Sequence, residues 1–135
     1  MNGEFIEISA DQVRAIHDLI LRTEPGRPGE IPERLEGALG RVATAQHYAG
    51  VDDIFEIAAT YAQAIGHGHC FIDGNKRTGL VTCLTFLELH GITVQRSPEL
   101  EEMMVDLTKK ELSLSDFATL LFSLAEYTDA NDTEE

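Results

Sequence analysis

Positive charge is what this chain has least of. Its 135 residues hold 10 Lys and Arg against 24 Asp and Glu, a formal net charge of −14 and a sequence pI of about 4.6. A non-specific nucleic-acid binder needs a basic face to release counterions, and an anionic membrane makes the same demand; neither partner suits this composition. The only two cysteines, Cys70 and Cys83, give no disulfide framework and no metal-ligand spacing, and Cys83 has the setting of a small core residue. No apolar stretch reaches the length of a bilayer span. The opening "MNGEFIEISA" has no basic region followed by an apolar run, so it carries no signal-peptide pattern. Internal repeats, low-complexity blocks and the phosphate motif GxxxxGK[ST] are absent as well. Together these absences predict a soluble, reduced, cytoplasmic protein.

The chain does have enough apolar residues for a core. Hydrophobic residues make up 43%, and a chain of this length buries roughly two-thirds of its unfolded surface without help from disulfides or metal. The expected organisation is one domain over residues 1–128, with 129–135 as an acidic, frayed tail.

Helical periodicity dominates. "FIEI", Phe5 to Ile8, alternates and suggests a short strand. Ser9 followed by Gln12 forms a capping box, opening a helix to about Arg22 with Val13, Ile16, Ile20 and Leu21 inward. "EPGRPGEIP", Glu24 to Pro32, is dense in Pro and Gly and must be a loop; loops of this kind connect elements or carry function. Pro32 suits a helix first turn, and that helix is expected to run towards Arg41 despite Gly37 and Gly40. Asp52 or Asp53 caps the next, whose stripe is Ile54, Ile57, Ala58, Tyr61 and Ile65, ending at Gly66 and Gly68. A further helix opens at Gly74 or Asn75, turns Leu80, Val81, Leu84 and Leu87 inward, and stops at Gly91. "ITVQ" is extended. Ser97 with Pro98, and Ser113 with Asp116, open the last two helices, the latter with Phe117, Leu120, Leu121 and Leu124 inward. The fold class expected is all-α, about six helices with scraps of strand.

One loop concentrates the chemistry. "HCFIDGNKRT", His69 to Thr78, places an imidazole, a carboxylate, a Gly-Asn pair and two adjacent cations between two helices. A helix start leaves unpaired N–H groups and partial positive charge, a natural phosphate or carboxylate site. Gly74 permits close approach and unusual φ. Asn75 can fix the turn or donate a hydrogen bond. Lys76 and Arg77 add full charge, and an Arg can grip two phosphate oxygens. His69 suits proton transfer near neutral pH. Asp73 would repel an anion by itself, but it fits if Mg²⁺ joins the two. The set points to phosphoryl-type chemistry. Plainer roles exist for each member: His69 as an ordinary surface or core residue, Asp73 as a helix cap, Arg77 as an ion-pair partner of Glu88 or the tail. His67, His69 and Asp73 also permit a metal-hydrolase reading, although His17, His47 and His90 have no spacing that completes a transition-metal site.

These residues resemble the core motif of the Fic/Doc superfamily, His-x-Phe-x-Asp/Glu-Gly-Asn, then Gly or Lys, then Arg. His69, Phe71, Asp73, Gly74, Asn75 and Arg77 stand in register. "GRPGEIPERLEGALG", "FEIAATYAQAIGHGH" and "FLELHG" extend the likeness to the short death-on-curing (Doc) toxins over almost the whole chain. Lys76 and Leu80 stand where Fic adenylyltransferases usually have Gly and a second Arg, so "NKRT" is the Doc form. A Lys fills the room a second phosphate would use. The resemblance therefore implies ATP with its γ-phosphate towards His69, and a protein kinase toxin whose target is elongation factor Tu.

By the same resemblance His69 is the base for the target hydroxyl. Asp73 holds Mg²⁺ or positions the nucleophile. Gly74, Asn75 and Lys76 form the anion hole, Arg77 clamps a phosphate, and Phe71 pins the loop to the core. Two departures stand out: Val81 where a polar residue is common, and Gly79 after Thr78 where Ala is commoner. The self-inhibiting Ser/Thr-x-x-x-Glu-Gly/Asn pattern is missing, since "SPELEE" from Ser97 has Glu102 in its last position. Restraint is therefore expected from a separately encoded antitoxin. The alternatives are a Fic-type protein adenylyltransferase and a non-catalytic Fic-like binding module.

Overall fold

A computed structural model describes residues 5–127; the predicted acidic tail lies outside the described residues. Six helices follow in order: α1 (Ala10–Thr23), α2 (Arg34–His47), α3 (Ile54–His67), α4 (Asn75–Leu89), α5 (Pro98–Thr108) and α6 (Leu114–Leu124). Two two-residue strands, β1 (Ile92–Thr93) and β2 (Glu126–Tyr127), pair antiparallel, with Ile92 opposite Tyr127. The architecture is all-α, as the periodicity predicts. None of the helices is long and apolar enough to cross a membrane.

Four helices start on a side chain that accepts the free N–H groups of the first turn. Ser9 accepts from Gln12 in a full capping box, Asp53 accepts from Phe55 and Glu56, Ser97 from Leu100, and Ser113 from Asp116. Of the two expected caps for α3, it is Asp53 that serves. α2 begins later than Pro32, because Glu33 stands in the left-handed region at φ 70° and turns the chain first. It also runs past Arg41: Leu35, Ala38 and Val42 recur on one buried face, and that packing outweighs the intrinsic cost of Gly37 and Gly40.

α3 is the centre. It packs on α2, α4, α5 and α6, while α4 touches α1, α5 and β1. Its stripe of Ile57, Ala58, Tyr61 and Ile65 is buried as expected, with Ile54 half-buried at the rim. α4 is covered on more than one side, so its buried set is wider than the expected face: Thr78, Gly79, Thr82, Cys83 and Phe86 join Leu80 and Leu87, while Val81 and Leu84 are half-buried. The α3–α4 approach is close. A Cβ on Gly79 would stand 2.7 Å from the Ala62 carbonyl oxygen and 2.9 Å from the Gly66 nitrogen. Gly in place of the commoner Ala thus has a packing reason. On α6, Phe117 and Leu121 are buried, Leu120 is half-buried and Leu124 is exposed.

The expected strand at Phe5 to Ile8 does not form. With no strand to pair with among the described residues, its backbone is held by side chains: Ile6 N–H donates to His90 Nε2 (3.0 Å) and Ile8 N–H to the Tyr61 hydroxyl (3.0 Å). The second ring nitrogen of His90, Nδ1, donates to the Phe86 carbonyl (2.8 Å).

Candidate active site

The motif loop runs from the end of α3, capped by Gly68, to the start of α4. His69 turns the chain at φ 53° and is exposed, whereas Cys70 and Phe71 return to the core. Phe71 is 3% exposed, so its expected pinning role holds. The Asn75 side chain then closes the loop: its Oδ1 accepts from Phe71 N–H (2.9 Å) and its Nδ2 donates to the Phe71 carbonyl (2.8 Å). Of the two sequence roles offered to Asn75, the amide performs turn-fixing.

The Pro/Gly loop lies alongside. Ile31 N–H donates to the Cys70 carbonyl (2.8 Å) and Ile72 N–H to the Gly29 carbonyl (2.9 Å), an antiparallel bridge centred on Glu30 and Phe71. This loop is anchored by charge at both ends. Glu30 is gripped by Arg14 through two hydrogen bonds (2.8 and 3.0 Å), and Arg14 also holds Glu36 and Asp11. That guanidinium keeps the Glu30 carboxyl below the usual carboxylate range. At the other end Glu24 pairs with Arg77 (3.1 Å) and with Arg96 (2.9 Å), and Arg96 in turn holds Glu101 (2.7 Å).

α4 begins unlike the four capped helices. Its N-cap is Gly74 at φ 85°, which offers no side chain, and its first turn has no acidic residue. α2 also lacks a side-chain cap but carries Glu36 in its first turn. The free N–H groups of α4 thus have cations beside them and no acidic side chain within their own first turn, as suits an external phosphate. They border a cleft of about 420 Å³, lined by residues 72–77 and Leu80 and by Glu101, Met104 and Val105 of α5. That volume lies in the range of small-molecule sites.

The structure therefore brings Asp73, Gly74, Asn75, Lys76 and Arg77 to one wall, and leaves His69 outside the cleft lining. His69 stands instead on the open surface, its ring 6.0 Å from that of His67. Asp73 is no helix cap: its Oδ2 accepts from Arg27 N–H (2.8 Å), with the Arg27 side chain 4.0 Å away. Arg77 does not pair with Glu88; Glu24 and the Pro25 carbonyl (3.0 Å) hold it, and the tail, its other expected partner, lies outside the described residues. Lys76 is exposed and makes no ion pair or hydrogen bond among the described residues. No three His, Cys, Asp or Glu side chains converge on a metal-binding arrangement among the described residues, which leaves the metal-hydrolase reading without a ligand set.

Two contributors escape the motif. Glu24 sits in the loop, and no local pattern marks it as the partner of Arg77. His17 had a signal: Val13, His17 and Ile20 follow helical spacing, and all three are buried.

Comparison with known proteins follows the same segment. The Fic/DOC family model matches residues 7–87. The Protein kinase doc of Escherichia phage P1 is 40% identical over 115 residues, covering 84% of this chain and 91% of the relative. The Toxin Doc of Mycolicibacterium smegmatis is 29% identical over 106 residues, covering 72% and 81%.

Proposed function

The chain belongs to the Fic/DOC family, and we propose that it is a Doc-type toxin kinase, transferring the γ-phosphate of ATP to a hydroxyl side chain of a protein. The observation that carries the reading is the start of α4: a side-chain-free cap, a first turn without acid, and Lys76 unengaged among the described residues, all facing one cleft. By the family resemblance the target is a translation factor, elongation factor Tu, and a separately encoded antitoxin restrains the toxin.

The residues present fit ATP and Mg²⁺. A Cβ at position 74 would need the left-handed φ that side chains disfavour, so the cradle is one only Gly builds easily. Asp73 is a half-exposed carboxylate with Oδ1 unengaged among the described residues. That carboxylate would hold Mg²⁺, which would supply neutralising charge for the phosphates. The first-turn N–H groups of α4 and the Lys76 ammonium hold the terminal phosphate. Arg77 adds a second cation at the rim. His69, exposed where a large protein substrate can reach it, accepts the hydroxyl proton as the oxygen attacks. The Glu24–Pro32 loop, paired to the motif loop and open on its outer side, is the surface on which that substrate docks.

Label transfer tests this. With bacterial lysate and Mg²⁺, label should pass from γ-labelled ATP and not from α-labelled ATP. His69→Ala should lower transfer by about 10²- to 10⁴-fold. Transfer from the α position would make the chain a nucleotidyltransferase and overturn the role given to Lys76.

A further inference from the structure

One buried imidazole stands behind the motif loop and takes part in no step above. His17, on α1, is 3% exposed. It touches three of the motif residues at once. Its ring stacks on Phe71 with centroids 3.8 Å apart and planes 9° from parallel. Its Nε2 lies 2.8 Å from the Asp73 carbonyl oxygen. Its edge lies 3.5 Å from where a Cβ on Gly74 would stand.

We propose that His17 is a positioning residue for the phosphate cradle, holding the Asp73–Gly74 peptide so that the Gly74 N–H and the first turn of α4 face the cleft. The inference rests on the kinase reading above for its purpose, but on geometry for its content. A carbonyl can only accept, so the proton must sit on Nε2. The Asp73–Gly74 peptide is trans, no cis peptide bond occurring among the described residues, and in a trans peptide the C=O and N–H point in opposite directions. Aiming the Asp73 carbonyl at α1 therefore aims the Gly74 N–H away from α1. The same contact fixes the backbone that carries the Asp73 carboxylate. Phe71 and Asn75 lock the loop from inside. His17 is the link that ties it to a second helix, and an apolar side chain there would leave the Asp73 carbonyl unpaired.

Two substitutions separate the hydrogen bond from the packing. His17→Phe keeps a ring to stack on Phe71 but loses the donor; His17→Gln loses the ring but places an amide N–H near the position of Nε2. We expect His17→Phe to weaken binding of a non-hydrolysable ATP analogue with Mg²⁺ by about tenfold, as loss of an outer-layer support commonly does. Calorimetry reads this. Amides 73–77 of the nucleotide-free chain should exchange hydrogen faster. His17→Gln should recover most of the affinity and protection. Wild-type affinity and exchange in His17→Phe would overturn the proposal, as would a Gln variant no better than Phe. If His17→Phe does not fold, His17→Asn replaces it, since its shorter amide does not reach the Asp73 carbonyl. The exchange measurement needs no nucleotide, so it decides the role of His17 even where γ-label transfer fails.

Discussion

α4 meets the rest of the molecule in two different ways. Its middle lies against α3 through Gly79, where backbone comes close to backbone, and through Phe86, whose ring packs on Tyr61. Its first turn and the residue before its cap meet loops through hydrogen bonds and ion pairs: Asn75 to Phe71, Arg77 to Glu24 and Pro25, Asp73 to Arg27. Contacts of the first kind have no substitute, because nothing else fills the space. Contacts of the second kind can be exchanged for others of like charge, and a phosphate is one such replacement. The same helix thus joins a stiff scaffold to a rim that a ligand can rearrange. Changes in the seam should alter stability and spare chemistry per folded molecule; changes in the rim should do the reverse.

Gly79→Ala puts the largest strain on this comparison. The added methyl would meet the Ala62 carbonyl at 2.7 Å and the Gly66 nitrogen at 2.9 Å, and both are backbone atoms of α3. They cannot rotate away, so the helices must separate. Overpacking of this kind costs about 1–3 kcal/mol, part of it offset by about 1 kcal/mol of helix propensity. A net loss of up to about 2 kcal/mol should appear as a Tm lower by up to several degrees. γ-Label transfer per folded molecule should remain at the wild-type level. Loss of transfer at unchanged Tm would show that seam and site are not separable.

Glu24→Gln probes the rim. Glu24 bridges Arg77 and Arg96, so two cations share one carboxylate beside the cleft. A phosphate approaching Arg77 must compete with it. Removing that negative charge should cost less than about 1 kcal/mol of stability, since the pairs are partly exposed. It should tighten ATP binding by about two- to fivefold, an effect that added salt weakens. Weaker binding would mean instead that Glu24 aims Arg77 at the phosphate, and the rim would then be as rigid as the seam.

Legibility in the sequence follows the same division. The scaffold was readable because helix caps and apolar spacing are local: Ser9 with Gln12, Ser97 with Pro98 and Ser113 each mark a start that the structure keeps. The motif was readable because its residues are consecutive. What escaped depends on pairing across the fold. Glu24 and Arg77 are 53 positions apart, and nothing in either neighbourhood names the other. His17 lay on its helix's buried stripe, but the acceptor that gives it meaning is the Asp73 carbonyl, 56 positions away. Phe5 to Ile8 shows the converse error. Its alternation is real, but a strand needs a partner edge, and Tyr61 and His90 satisfy that backbone instead.

The smallest effect expected lies at the far anchor of the Pro/Gly loop. Arg14 lowers the Glu30 carboxyl pKa, chiefly by hydrogen bonding to it, against an opposing effect of burial. A carboxyl held lower in the folded chain than in the unfolded one stabilises the fold above its unfolded value, about 4.3. That contribution is lost as pH falls through the lower, folded-state value. Glu30→Gln cannot titrate and lacks the pair at every pH. The wild-type chain should therefore exceed Glu30→Gln in Tm at neutral pH, with a gap that narrows below about pH 4 and closes in stronger acid. The gap should be small, because Arg14 and Glu30 are partly solvated and Arg14 keeps Glu36 and Asp11 as partners. A gap independent of pH would trace the anchor to side-chain packing and not to charge, and the loop would then belong with the seam.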